Sequence, residues 1–159
     1  MPRRVTMQSQ KGRNRTESST VNDEMTTLTR LGDSELTVAN EAEDVRGHKV
    51  IDKNGDEIGS VDALLIDEPE RKVRFLEVGS GGFLGLGKKQ VLIPVDAVRR
   101  IDDEHVYIGH ERDEVASGPG YDPELMPEPD RPFVEGVYVH YGYLPYWGAG
   151  YRHPGYPHF

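Results

Sequence analysis

The 159-residue sequence predicts an all-β fold, a small barrel of about six short strands, on three observations. Between residues 45 and 118, short β-rich runs alternate with turn clusters. Their spacing leaves no interval for crossover helices. Hydrophobic residues make up 35% of the chain and its mean hydropathy is -0.66, so the apolar side chains must be gathered into part of it. Short, mostly antiparallel strands of this kind close into a barrel or curl strongly, and either outcome removes exposed edges.

The chain opens on a polar, basic arm. Residues 1–30 carry six basic side chains against three acidic ones and show no hydrophobic period, so disorder is expected there. Residues 31–44 form an acidic lead-in, with Asp33, Glu35 and Leu36 placed to cap one helical turn. The barrel is assigned to residues 45–118. Its first hairpin follows from Asn54-Gly55 between HKVID and EIGSVDALLID, since a type I′ turn needs positive φ at both central residues. Asp52, Asn54 and Asp56 share the spacing of a calcium loop, but Glu57 stands where that loop needs Gly and Ala63 where it needs Glu. The hairpin reading is therefore preferred.

Asp67-Glu68-Pro69-Glu70-Arg71 reads as the next turn. In KVRFLEVGS, Val73 and Phe75 lie on one face and Leu76 and Val78 on the other, which predicts a strand covered on both sides or bent by a bulge. QVLIP, RRI and HVYIG complete the set, with Pro94 and Asp102-Asp103-Glu104 as breaks. Gly59, Gly82, Gly85 and Gly87 are read as turn positions beside Asn54 and Gly55. A barrel this small buries only about 60% of its unfolded surface, so flanking segments or a second copy are expected to add burial.

GGFLGLGKK contains the Gly82-x-x-x-x-Gly87-Lys88 skeleton of a phosphate-binding loop. Such a loop needs a helix after its lysine and a Ser or Thr to hold magnesium. Lys89 holds that position, and QVLIP is β-branched and ends in Pro94. A turn is expected. Its apolar Phe83, Leu84 and Leu86 either fold over the barrel mouth or face a partner.

Residues 119–132 are a Pro-rich, acidic linker, read as extended. Residues 133–159 hold six of the eight tyrosines and the single tryptophan. Gly and Pro interrupt this tail every few residues, so neither a helix nor a long strand is expected. Tyr138, Tyr141, Tyr143, Tyr146, Trp147 and Tyr151 are candidate interface anchors, because such rings give large contact area at low entropy cost. The tail packs on its own barrel, binds a second copy or another protein, or stays mobile; the binding reading is favoured.

Other chemistry finds little footing. There are no cysteines, which removes disulfides and thiolate sites and suits a cytoplasmic location. The net charge of -9 argues against stable nucleic-acid binding. No run is long and apolar enough to span a bilayer, which leaves peripheral membrane contact open. His140, His153 and His158 are weak metal candidates, since their spacing on a Gly/Pro backbone fixes no common face. Glu77, inside an apolar strand, is expected to pair with Arg74 or Lys72. No His–carboxylate–nucleophile arrangement is readable, so no catalytic residue, cofactor or metal is assigned.

DVRGHKVIDKNGDEIGSVDALLID, RKVRFLEVGSGGFLGLGKKQVLIPVDAV and RIDDEHVYI, in that order and spacing, resemble a PRC-barrel domain over about residues 33–122. This is the fold of the cytoplasmic part of the photosynthetic reaction-centre H subunit and of one domain of ribosome maturation factors. YGYLPYWGAGY resembles the aromatic tail of stand-alone bacterial members. The resemblance implies a non-enzymatic scaffold or adaptor that docks on other macromolecules, with self-association through the tail. It also admits a reaction-centre-like accessory protein at the membrane surface, or an RNA-processing or ribosome-linked factor.

Overall fold

A computed structural model of the chain describes residues 28–32, 41–80 and 89–157. Seven strands run in chain order: β1 (Leu28–Leu31), β2 (Lys49–Ile51), β3 (Glu57–Asp67), β4 (Lys72–Ser80), β5 (Lys89–Pro94), β6 (Val98–Ile101) and β7 (His105–Ile108). Two helices follow, α1 (Arg112–Ala116) and α2 (Arg131–Tyr141). The strands form one curled sheet in the order β5-β4-β3-β2-β7-β6, with β1 added along β3. All ladders are antiparallel except the parallel pair of β2 and β7.

The curl is built into β3. Its first half pairs with β2 and its second half with β1, so one long strand serves two partners along one edge. Register shifts between Val61 and Ala63 and between Leu65 and Ile66 bend it against β4, as bulges do. From Val73 to Val78 every β4 side chain is buried, so the strand is covered on both faces and faces a bent neighbour as well.

The polar arm falls mostly outside the described residues, as do Asp33, Glu35 and Leu36 of the lead-in. The expectation of disorder through residue 30 needs one correction. Leu28, Thr29 and Arg30 belong to β1, with Leu28 and Leu31 buried and Thr29 exposed. Four residues carry too short a period to be read alone; the partner on β3 makes them a strand.

The first hairpin is present, but its turn is not type I′. Gly55 has φ of 91, and Arg71 alone among the described non-glycine residues has positive φ, so Asn54 does not take the left-handed form. Gly55 N–H donates to Asp52 O at 3.1 Å and Asp52 N–H to Asp56 O at 2.8 Å, the pattern of a turn ending in a glycine bulge. The Asp52 carboxylate organises it. Oδ1 accepts from the N–H groups of Asn54 and Asp56 at 2.8 Å each, and Oδ2 from Arg112 N–H at 2.9 Å at the start of α1.

Burial raises the Asp52 pKa, but the backbone donors outweigh it and the net position is below the ordinary 3.8. A depressed carboxylate stabilises the fold above its unfolded value and loses that contribution as the pH falls toward its folded value. Asp52→Ala should therefore cost about 2 kcal/mol near neutral pH, with the difference from wild type shrinking below the ordinary aspartate range. Urea denaturation at several pH values measures both.

Gly59, read as a turn position, lies inside β3 opposite Ser80 of β4. The turn between β3 and β4 falls where expected, with Arg71 at φ 55 and its N–H donating to Asp67 O. Pro94 ends β5 and leads into a single 3-10 turn, Val95–Ala97.

The tail departs most from expectation, because α2 is a regular helix of 11 residues. Asp130 caps it by accepting from Phe133 N–H at 3.0 Å, and Pro132 sits in the first turn, where a missing N–H costs nothing. Gly142, at φ 83, ends it: its N–H reaches Val139 O and Tyr143 N–H reaches Tyr138 O, a Schellman closure. The buried residues Val134, Val137, Tyr138 and Tyr141 keep helical spacing, so glycine and proline here mark helix ends instead of forbidding the helix.

Candidate functional site

Four places gather polar or aromatic side chains. The first is a cleft of about 640 Å³ between the barrel wall and the linker, with Arg30, Asp62, Glu77, Gln90 and Asp122 on its walls. Glu77 is 1% exposed. Arg30 holds it with two donors, Nε to Oε1 at 2.6 Å and Nη2 to Oε2 at 3.0 Å, and Gln90 Nε2 donates to Oε2 at 2.6 Å. The expected partners fail for a geometric reason. Arg74 and Lys72 sit on β4 itself at odd separations from Glu77, so they project from the opposite face. Lys89, at the mouth, donates to the carbonyls of Ala116 and Gly118 at 2.7 and 2.6 Å.

The second place joins β7, α1 and the tail. His110 Nδ1 lies 2.8 Å from Glu114 Oε2 and its Nε2 lies 2.7 Å from the Tyr143 hydroxyl. This carboxylate–imidazole–phenol chain was invisible in the sequence, because Tyr143 is 33 residues from His110. The ring stands edge-on to Tyr141 and Tyr143, at 5.1 and 5.6 Å between centroids. The chain ties three elements together.

The third place is the 52–56 turn, where Asp52, Asn54, Asp56, Glu111 and Asp113 line a shallow depression. Asp52 is already saturated by backbone donors, so the calcium-like spacing serves the turn. Among the described residues no group of three His, Asp or Glu side chains gathers to hold a metal. His140 Nε2 is engaged by Glu114 O at 2.7 Å and His153 Nδ1 by Gly155 N–H at 3.1 Å; His158 lies outside the described residues. Phe83, Leu84, Leu86, Gly82, Gly85, Gly87 and Lys88 lie outside them too. β5 begins at Lys89, so a strand stands where a phosphate loop needs a helix.

The fourth place is the seam between barrel and tail. Tyr138 is fully buried and packs on Phe75 at 5.0 Å, with Trp147 edge-on at 6.4 Å. Arg74, 3% exposed, pairs with Asp67 Oδ2 at 3.1 Å and lies 4.4 Å from the Tyr146 ring centroid and 5.9 Å from that of Tyr151. Arg131 stacks on Trp147 at 4.5 Å. The Tyr156 hydroxyl reaches Glu43 O at 2.7 Å. The candidate anchors thus sit against their own barrel. Among the described residues, the large apolar side chains left exposed are Val139 at 77%, Leu144 at 54% and Leu125 at 84%.

The PRC-barrel domain family model matches residues 38–109, which run from the lead-in to the end of β7. The chain carries a PRC-barrel domain. The match contains every described strand except β1, and β1, α1 and α2 lie outside it. No curated protein matches the chain. No described helix is long and apolar enough to cross a membrane.

Proposed function

We propose that this PRC-barrel protein works without catalysis, as a scaffold that self-associates through the outer side of α2. The supporting observation is the division of the C-terminal segment into two faces. Its inner rings are consumed by the barrel, while Val139 and Leu144, 77% and 54% exposed, flank the closed end of the helix on the outside. Aliphatic side chains left in water at such exposure are what a docking patch is built from. The buried carboxylate Glu77 is neutralised by Arg30, which fits a structural ion pair more than an acid–base group.

Native mass measured by light scattering tests this. The wild type is expected as an oligomer and Val139→Glu/Leu144→Glu as a protomer. The protomer fold should be unchanged by circular dichroism, because both side chains lie outside the core of the protomer. Equal masses for the two proteins would exclude self-association through this face.

A further inference from the structure

The seam between barrel and tail differs from the rest of the interior. Among the described residues, four buried side-chain atoms here have no hydrogen-bond partner, Arg74 Nε, Arg131 Nε and the hydroxyls of Tyr138 and Tyr141, while the Tyr151 hydroxyl and the Asp96 carboxyl interact with each other across the seam. Arg74 belongs to the barrel side and the other three to α2. The barrel wall shows the opposite, since Glu77 there has every partner it needs. Burial pushes the Asp96 carboxyl and the Tyr138 and Tyr151 phenols above their ordinary values, as desolvation without full compensation does. The rings contribute apolar contact here, while their polar atoms oppose docking.

Residues 131–157 also have a natural hinge. Tyr121 is pinned by its N–H to Gln90 O at 2.7 Å and Gly120 bridges Val91, so the chain before the hinge belongs to the barrel. Asp122 to Pro129 then lead to α2 outside the named strands, held where the Tyr121 hydroxyl reaches Pro127 O at 3.5 Å and ending in an isolated bridge at Asp130.

We propose that residues 131–157 form a releasable strap, which undocks from the barrel as one unit while the strands stay folded. Release returns the four unpaired atoms to water and uncovers Phe75 and Arg74, at the cost of the Tyr151–Asp96 contact. It must also break the ties of Tyr143 to His110, His140 to Glu114 and Tyr156 to Glu43, which is why the strap is closed at rest. The strap concerns the inner face of α2 and stands apart from docking on its outer face, so either can fail alone.

Native-state hydrogen exchange on the full chain at increasing urea tests the strap. Amides of α2 are expected to exchange through an opening with a smaller urea dependence than those of β3 and β4. Tyr138→Phe, which deletes an unpaired hydroxyl and keeps the ring, should slow α2 exchange about five- to tenfold. Tyr138→Ala, which removes the ring from Phe75, should speed α2 exchange while β4 stays protected. A common urea dependence for α2 and the strands would overturn the proposal, as would faster α2 exchange in Y138F or joint loss of α2 and β4 protection in Y138A.

Discussion

Arg30→Met is expected to lower stability by about 3–5 kcal/mol, because it strands a buried charge. Glu77 is 1% exposed and takes two of its three side-chain hydrogen bonds from Arg30. Without that guanidinium, Gln90 alone faces a full negative charge inside the wall of the sheet. Glu77→Gln should cost less, about 1–2 kcal/mol, since Arg30 is 31% exposed in its side chain and can turn to water. Replacing both by apolar residues of similar volume should recover most of the loss. Urea denaturation of the two single variants and the double variant gives the coupling directly. A loss below about 1 kcal/mol for R30M would mean that β1 is not anchored through this pair.

Gly59→Ala is expected to cost about 3 kcal/mol, at the upper end of overpacking. A Cβ at Gly59 would overlap the carbonyl oxygen of Gly79 on β4. Backbone cannot swing aside as a flexible side chain can, so the two strands must part where β3 also holds β2. Two other glycines give contrasting controls. Gly55→Ala meets no atom within 4 Å and should cost about 1 kcal/mol through its φ of 91 alone. Gly136→Ala, in open space on the helix, should stabilise by about 0.5–1 kcal/mol. Thermal melts that rank the three differently would show that strand approach is not what requires glycine at position 59.

The strand pattern was legible because its signals are local. Asn54-Gly55, Pro69 and Asp102-Asp103-Glu104 each fall in a connection between strands. The turn at Asn54 was misjudged in type because Asp52, two residues earlier, supplies the acceptor that shapes it. What failed was non-local. Glu77 meets Arg30 from 47 positions away, and His110 meets Tyr143 across 33. The helix α2 did carry local signals, Asp130 before Pro132 and Gly142 after Tyr141, but the density of aromatic and glycine residues obscured its period. The tail rings were expected chiefly at a partner, with packing on their own barrel as an alternative, and in the structure they pack against the barrel that bears them.

The parallel pairing of β2 with β7 sets a schedule for the newborn chain. Lys49 lies opposite His105 and Ile51 opposite Tyr107, so β2 is left with one free flank until β7 has been made. The hairpins of β3, β4 and β5 can assemble before that, but the sheet is complete only once β6 and β7 are present. The aromatic cover follows β7 in the chain, so it docks onto a wall that has only just been completed.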